Sequence, residues 1–114
     1  MMTFLNWFDT AEVRQFANEL ATEFSRRFPA THDETEKKQM ESRLRGAKDL
    51  MMSRTQVFAE RHKLNLYKRA KLANILRWRL QELGYDRDLT QSVVYEVVRI
   101  VTLIRSSRAD TRLF

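Results

Sequence analysis

Two glycines, Gly46 and Gly84, and a single proline, Pro29, are all that punctuate 114 residues, so long stretches contain nothing that stops a helix from propagating. Tight β-turns lean on glycine and proline, and their scarcity argues against a turn-rich β architecture. The chain has no cysteine, which removes disulfides, thiolate nucleophiles and cysteine-ligated metal centres, and fits a cytoplasmic protein. A hydrophobic content of 43% supplies one modest core, so a single domain over 1–114 is expected.

Apolar periodicity divides the chain into about four amphipathic helices, near 10–28, 32–61, 65–83 and 90–106. Asp9 with Glu12 has the spacing of an N-cap and its N3 partner, and Phe8 with Val13 that of a hydrophobic staple. Val13, Phe16, Ala17, Leu20, Ala21, Phe24 and Phe28 then form a continuous stripe that Pro29 ends. Thr31 with Glu34 opens a long second helix, whose narrow seam of Met40, Leu44, Ala47, Met51 and Phe58 has the width of a coiled-coil contact. That seam serves either an intramolecular bundle or a second copy, and self-association as a dimer is the expectation.

Asn65 is placed to cap a third helix with Leu66, Leu72, Ala73, Leu76, Leu80 and Leu83 on one face, although continuity with the second helix stays open. Gly84 suits the position after that helix, with Tyr85 reaching back to Leu80 in a Schellman end. Thr90 is read as the cap of a fourth helix, with Leu89 and Val94 as its staple. Val93, Val97, Val98, Ile100, Val101 and Ile104 make its apolar face, and the tail from Ser106 is expected to be loose. The fold class is all-α, a helical bundle or an array of helical hairpins.

Met1 to Phe8 lack a basic leader and a cleavage pattern and do not read as a secretory signal. The most apolar run, Val93 to Ile104, is broken by Glu96, Arg99 and Thr102, so no transmembrane segment is expected. The net charge of +6 is unevenly placed. Arg61, Lys63, Lys68, Arg69, Lys71, Arg77 and Arg79 fall in one stretch that contains no acidic residue. Tyr67, Lys71 and Trp78 share an arc of a helix away from its leucines. Cations that neutralise phosphates beside rings that stack on bases suit an anionic partner. The candidate contact residues are therefore Arg61, Lys63, Tyr67, Lys68, Lys71, Trp78 and Arg79, and the partner is either a nucleic acid or an acidic protein. Packing of the same rings against another helix, with a solvated basic rim, is the plainer alternative. A helix-turn-helix fits poorly, because the helix after Gly84 carries valines and isoleucines instead of polar base readers.

Phe4, Leu5, Trp7 and Phe8 either cap the bundle or form a docking patch. Catalytic chemistry has little to draw on. His32 lies beside Asp33, Glu34 and Glu36, but acidic groups at a helix start already answer to the helix dipole. His62, between Arg61 and Lys63, reads as a surface residue whose flanking residues offer no carboxylate orienter. No glycine-rich phosphate loop or nucleophile elbow is present. The expected function is a non-enzymatic interaction or regulatory module without metal or cofactor. Nucleic-acid binding is the alternative, and an enzyme or nuclease using His32 or His62 is the third reading.

Overall fold

In a computed structural model, which describes residues 10–30, 37–62 and 64–113, the chain forms α1 (Ala11–Arg27), α2 (Lys37–Arg61), α3 (Leu66–Glu82) and α4 (Arg87–Leu113). The described residues contain no strand. Each helix hands the core a stripe stepping mainly by fours. The stripes are Val13, Ala17, Leu20, Ala21 and Phe24 on α1; Ala47, Met51, Thr55 and Ala59 on α2; Leu72, Leu76 and Leu80 on α3; and Val93, Val97 and Val101 on α4. Burying one leucine or valine this completely contributes about 1.5–3 kcal/mol, which orders the helices where propensity alone would not. Thr55 sits in that core because its hydroxyl donates to the Met51 carbonyl at 2.7 Å.

The helices pair as two hairpins laid side by side. Phe16 stacks on Phe58 with ring centroids 4.0 Å apart, Glu23 meets Arg54 at 2.8 Å, and Glu12 meets His62 at 2.9 Å, so α1 and α2 are antiparallel. The turn at Gly84 and a contact from Arg69 to Thr102 make α3 and α4 antiparallel in the same way. Tyr85, just past α3, donates its hydroxyl to the carbonyl of Phe28, just past α1, so α1 and α3 run parallel. Helix α1 packs on α2 and α3, and α4 packs on the same two, whereas among the described residues α2 and α3 make no close backbone approach. The end of α2 and the start of α3 therefore lie on diagonally opposite helices at one end of the bundle.

The helix ends follow local chemistry. Asn65 caps α3 as its sequence position predicts, accepting from the Lys68 amide at 2.8 Å. At the other end Gly84 has φ 98°, and the Gly84 and Tyr85 amides donate to the Gln81 and Leu80 carbonyls at 3.0 and 3.2 Å, the Schellman pattern. Phe28 is extended before Pro29, which ends α1.

Two ends differ from the sequence reading, both on α4, and the expected capping residues of α1 and α2 fall outside the described residues. Thr10 flanks α1 without a side-chain cap bond, while Asp9 and Phe8 lie outside the described residues, as do Thr31 and Glu34. Helix α4 continues to Leu113, so the backbone from Ser106 is helical. The same helix starts three residues before the expected cap. Asp86 takes that role, accepting from the Leu89 amide at 2.7 Å, because a carboxylate before the first turn also suits the helix dipole. Thr90 is consequently inside the helix, 1% exposed, with its hydroxyl unpaired among the described residues. Replacing an unpaired buried hydroxyl by a methyl removes a desolvation penalty, so Thr90→Val is expected to stabilise the fold by about 1 kcal/mol. An unchanged or lower midpoint in urea denaturation would contradict this account.

Candidate interface on the outer face of the third helix

With Leu72, Leu76 and Leu80 turned inward, α3 presents Tyr67, Lys71, Asn74 and Trp78 on its opposite side, at steps of four, three and four. Tyr67 is 43% exposed and Trp78 58% exposed, and the two are separated by roughly 16 Å of helix. Lys71 lies between them and is half-buried, while Asn74 accepts from the Arg77 guanidinium at 3.0 Å. That bond holds one cation at the edge of the aromatic stripe.

The remaining basic residues are not gathered on the same stripe. Arg69 turns toward α4, where it donates to Thr102 at 3.4 Å, and its Nε is buried. Arg79 pairs with Glu82 at 2.7 Å along the flank of α3, and its Nε is likewise buried. Lys68 is half-buried, on the side of α3 that carries Arg79. Arg61 is exposed at the end of α2, and Lys63 lies outside the described residues. The charge excess is thus a collar around α3, with Lys71 on the stripe that carries the rings and Arg77 tied to it through Asn74.

Exposed apolar surface has the same bias. Of the large hydrophobic side chains that the described residues expose, Leu66, Tyr67 and Trp78 are on α3, Tyr95 and Leu103 on α4, and Val57 alone on α2. Tyr95, 66% exposed, was legible as an off-stripe residue, since it falls opposite Val93, Val97 and Val101. The α3–α4 hairpin therefore carries most of the surface that a partner would desolvate.

The seam of α2 has a different fate from a free contact strip. Ala47 and Met51 are each 2% exposed, Leu44 and Phe58 pack against the core, and Met40 is half-buried. These residues are engaged within the chain, since α1 and α4 both pack against α2.

His62 is not an isolated surface residue. Its Nδ1 lies 2.9 Å from the Glu12 carboxylate, and its ring lies 4.5 Å from that of Phe58, so α1 supplies the acidic partner that the flanking Arg61 and Lys63 do not. This pair fastens the start of α1 to the end of α2. It does not line the open groove of about 380 Å³ along α1, which is bounded by Phe16, Glu19, Thr22, Glu23, Arg26 and Arg54 among others. His32 and its acidic neighbours lie outside the described residues, as do Phe4, Leu5 and Trp7. Among the described residues no three metal-ligating side chains cluster, and no helix is long and apolar enough to cross a membrane. Comparison with protein-family models, with characterised proteins and with solved structures gives no match to this chain.

Proposed function

We propose that this chain is a non-enzymatic helical interaction module, cytoplasmic, whose α3 face docks an anionic partner and which also associates with itself. One observation carries the docking reading. Tyr67 and Trp78 are exposed on a rigid helix, with Lys71 between them and Arg77 beside them, inside a stretch from Arg61 to Gln81 that has no acidic residue. Aromatic rings held on a packed helix lose little entropy on binding, and nearby cations raise the encounter rate with an anion. Nucleic acid is the second reading, favoured by the spacing of two flat rings along one helix face, since bases stack on such rings without regard to sequence.

A labelled oligothymidylate and a labelled polyglutamate separate the two readings. Binding of either probe is expected to weaken steeply between 50 and 200 mM salt, as ion release requires. Trp78→Ala and Lys71→Glu are each expected to weaken it about ten-fold while leaving helicity intact, because both side chains point away from the core. Preference for the oligonucleotide, with Trp78→Ala the more damaging change, supports nucleic acid; equal or stronger binding of polyglutamate supports an acidic protein. Salt-independent binding, no binding, or variants equal to the parent would refute the interface.

A further inference from the structure

We propose that two copies of this chain exchange their helical hairpins, with α2 and α3 joining into one continuous helix that carries α1–α2 of one copy onto α3–α4 of the other. The inference is independent of which anion α3 binds. It starts from the topology: the contacts between the hairpins, α1 on α3 and α2 on α4, bury the central core, yet among the described residues the backbones of α2 and α3 do not approach each other closely. Nothing but the link between Arg61 and Leu66 decides whether those contacts form within one chain or between two.

That link is chemically suited to either outcome. No glycine or proline occurs between Gly46 and Gly84, so the sequence across the junction is compatible with one long helix. The break is marked by the cap of α3, where Asn65 has extended backbone (φ −70°, ψ 174°) and its side chain accepts from the Lys68 amide at 2.8 Å. Opening the link exchanges that capping bond for added helical hydrogen bonds, and every apolar contact between hairpins is regained against the partner. The side of the α2 seam that packs on α4 would then do so across two copies, while the stack of Phe58 on Phe16 stays within the α1–α2 hairpin. A second copy is the occupant because α3–α4 of this same chain is the surface that α1–α2 already packs against.

Two substitutions push the junction in opposite directions. Asn65→Ala removes the cap in the compact monomer and favours helix through the junction, and with two caps per dimer it is expected to raise the association constant on the order of 30-fold. Leu66→Pro works the other way. Leu66 is the first residue of α3 and is 69% exposed, a position that accepts proline, and Asn65 already has the extended conformation that a following proline demands. A continuous helix would set that proline in its interior, where it breaks the ladder and meets the His62 carbonyl. Leu66→Pro is therefore expected to be folded and monomeric at all concentrations.

Molar mass from light scattering, measured after refolding the full chain at low and high concentration, tests the order Asn65→Ala above parent above Leu66→Pro in dimer content. Exchange itself is read by cross-linking. The chain has no cysteine, and Lys48 Nζ lies 3.2 Å from Ser92 Oγ across the two hairpins, so Lys48→Cys with Ser92→Cys offers a single reactive pair. A short thiol-specific cross-linker applied to the isolated dimer is expected to join two chains covalently, and to close only within the chain in the monomer. Intrachain closure in the dimer, a dimer that persists in folded Leu66→Pro, or no dimer in either the parent or Asn65→Ala would overturn the proposal.

Discussion

Phe24→Ala is expected to lower the stability of the fold by about 3–5 kcal/mol, a large part of the roughly 5–15 kcal/mol that holds a domain of this size together. Phe24 is 2% exposed and lies on the stripe of α1 that faces the core. Its ring meets Tyr85 edge-on at 5.3 Å and Phe28 edge-on at 6.1 Å, so truncation opens a cavity and removes two aromatic contacts at once. These contacts join the end of α1 to the α3–α4 turn, where backbone geometry is already fixed by Pro29 and Gly84, and little collapse into the cavity is available. Phe16→Ala is the internal comparison. Phe16 is half-buried and stacked on Phe58, so its loss removes one ring contact at the edge and is expected to cost about 1–2 kcal/mol. Urea denaturation followed by helical circular dichroism measures both. Equal effects of the two substitutions would mean that the aromatic cluster at Tyr85 is not the keystone between the hairpins.

The contrast between these two phenylalanines shows how far periodicity carries. Both lie on the stripe of α1 read from spacing alone, and the helix itself is legible because only a helix brings Val13, Ala17, Leu20 and Phe24 to one side. Local end signals were equally legible where one residue type is strongly preferred: Asn65 as a cap, and Gly84 with φ 98° followed by Tyr85. Thr90 was misread because threonine and aspartate both cap helices. The choice between Thr90 and Asp86 is made by the stripe of Val93, Val97 and Val101, one turn beyond Thr90, which buries Thr90 with it. What spacing could not give is which stripe faces which. The carboxylate beside His62 comes from Glu12, fifty residues away, and the α2 seam finds its partners in α1 and α4 through a chain path that crosses the bundle. On α3 the exposed sides of Tyr67 and Trp78 follow from the leucine stripe, but the directions of Arg69 and Arg79 depend on Thr102 and Glu82, partners that net charge does not reveal.

Raising the pH through 10 to about 12 is expected to remove about 2–3 kcal/mol of stability from the parent chain and not from Tyr85→Phe. Burial pushes the Tyr85 phenol up from 10.0 to about 12, because the phenolate would have to leave water among Phe24, Phe28 and the end of α3. The neutral hydroxyl donates to the Phe28 carbonyl, and ionisation deletes that donor. The folded state therefore holds this proton more tightly than the unfolded chain. A raised acid constant of this kind contributes stability that is complete below the unfolded value of 10.0, declines as pH rises, and is gone above the folded value of about 12. Tyr85→Phe should start about 1 kcal/mol less stable at neutral pH, having lost the bond to Phe28, and should then cross the parent as alkali is added. The readout is the difference between the urea midpoints of the two chains at pH 8, 10, 11 and 12, which cancels whatever they share. Parallel profiles across that range would mean that Tyr85 ionises as freely in the folded protein as in the unfolded one, and the joint between α1 and the α3–α4 turn would have to be open to water. A convergence confined to this window, by contrast, ties the two hairpins together through one buried phenol, at the end of the bundle opposite the link where exchange between copies would begin.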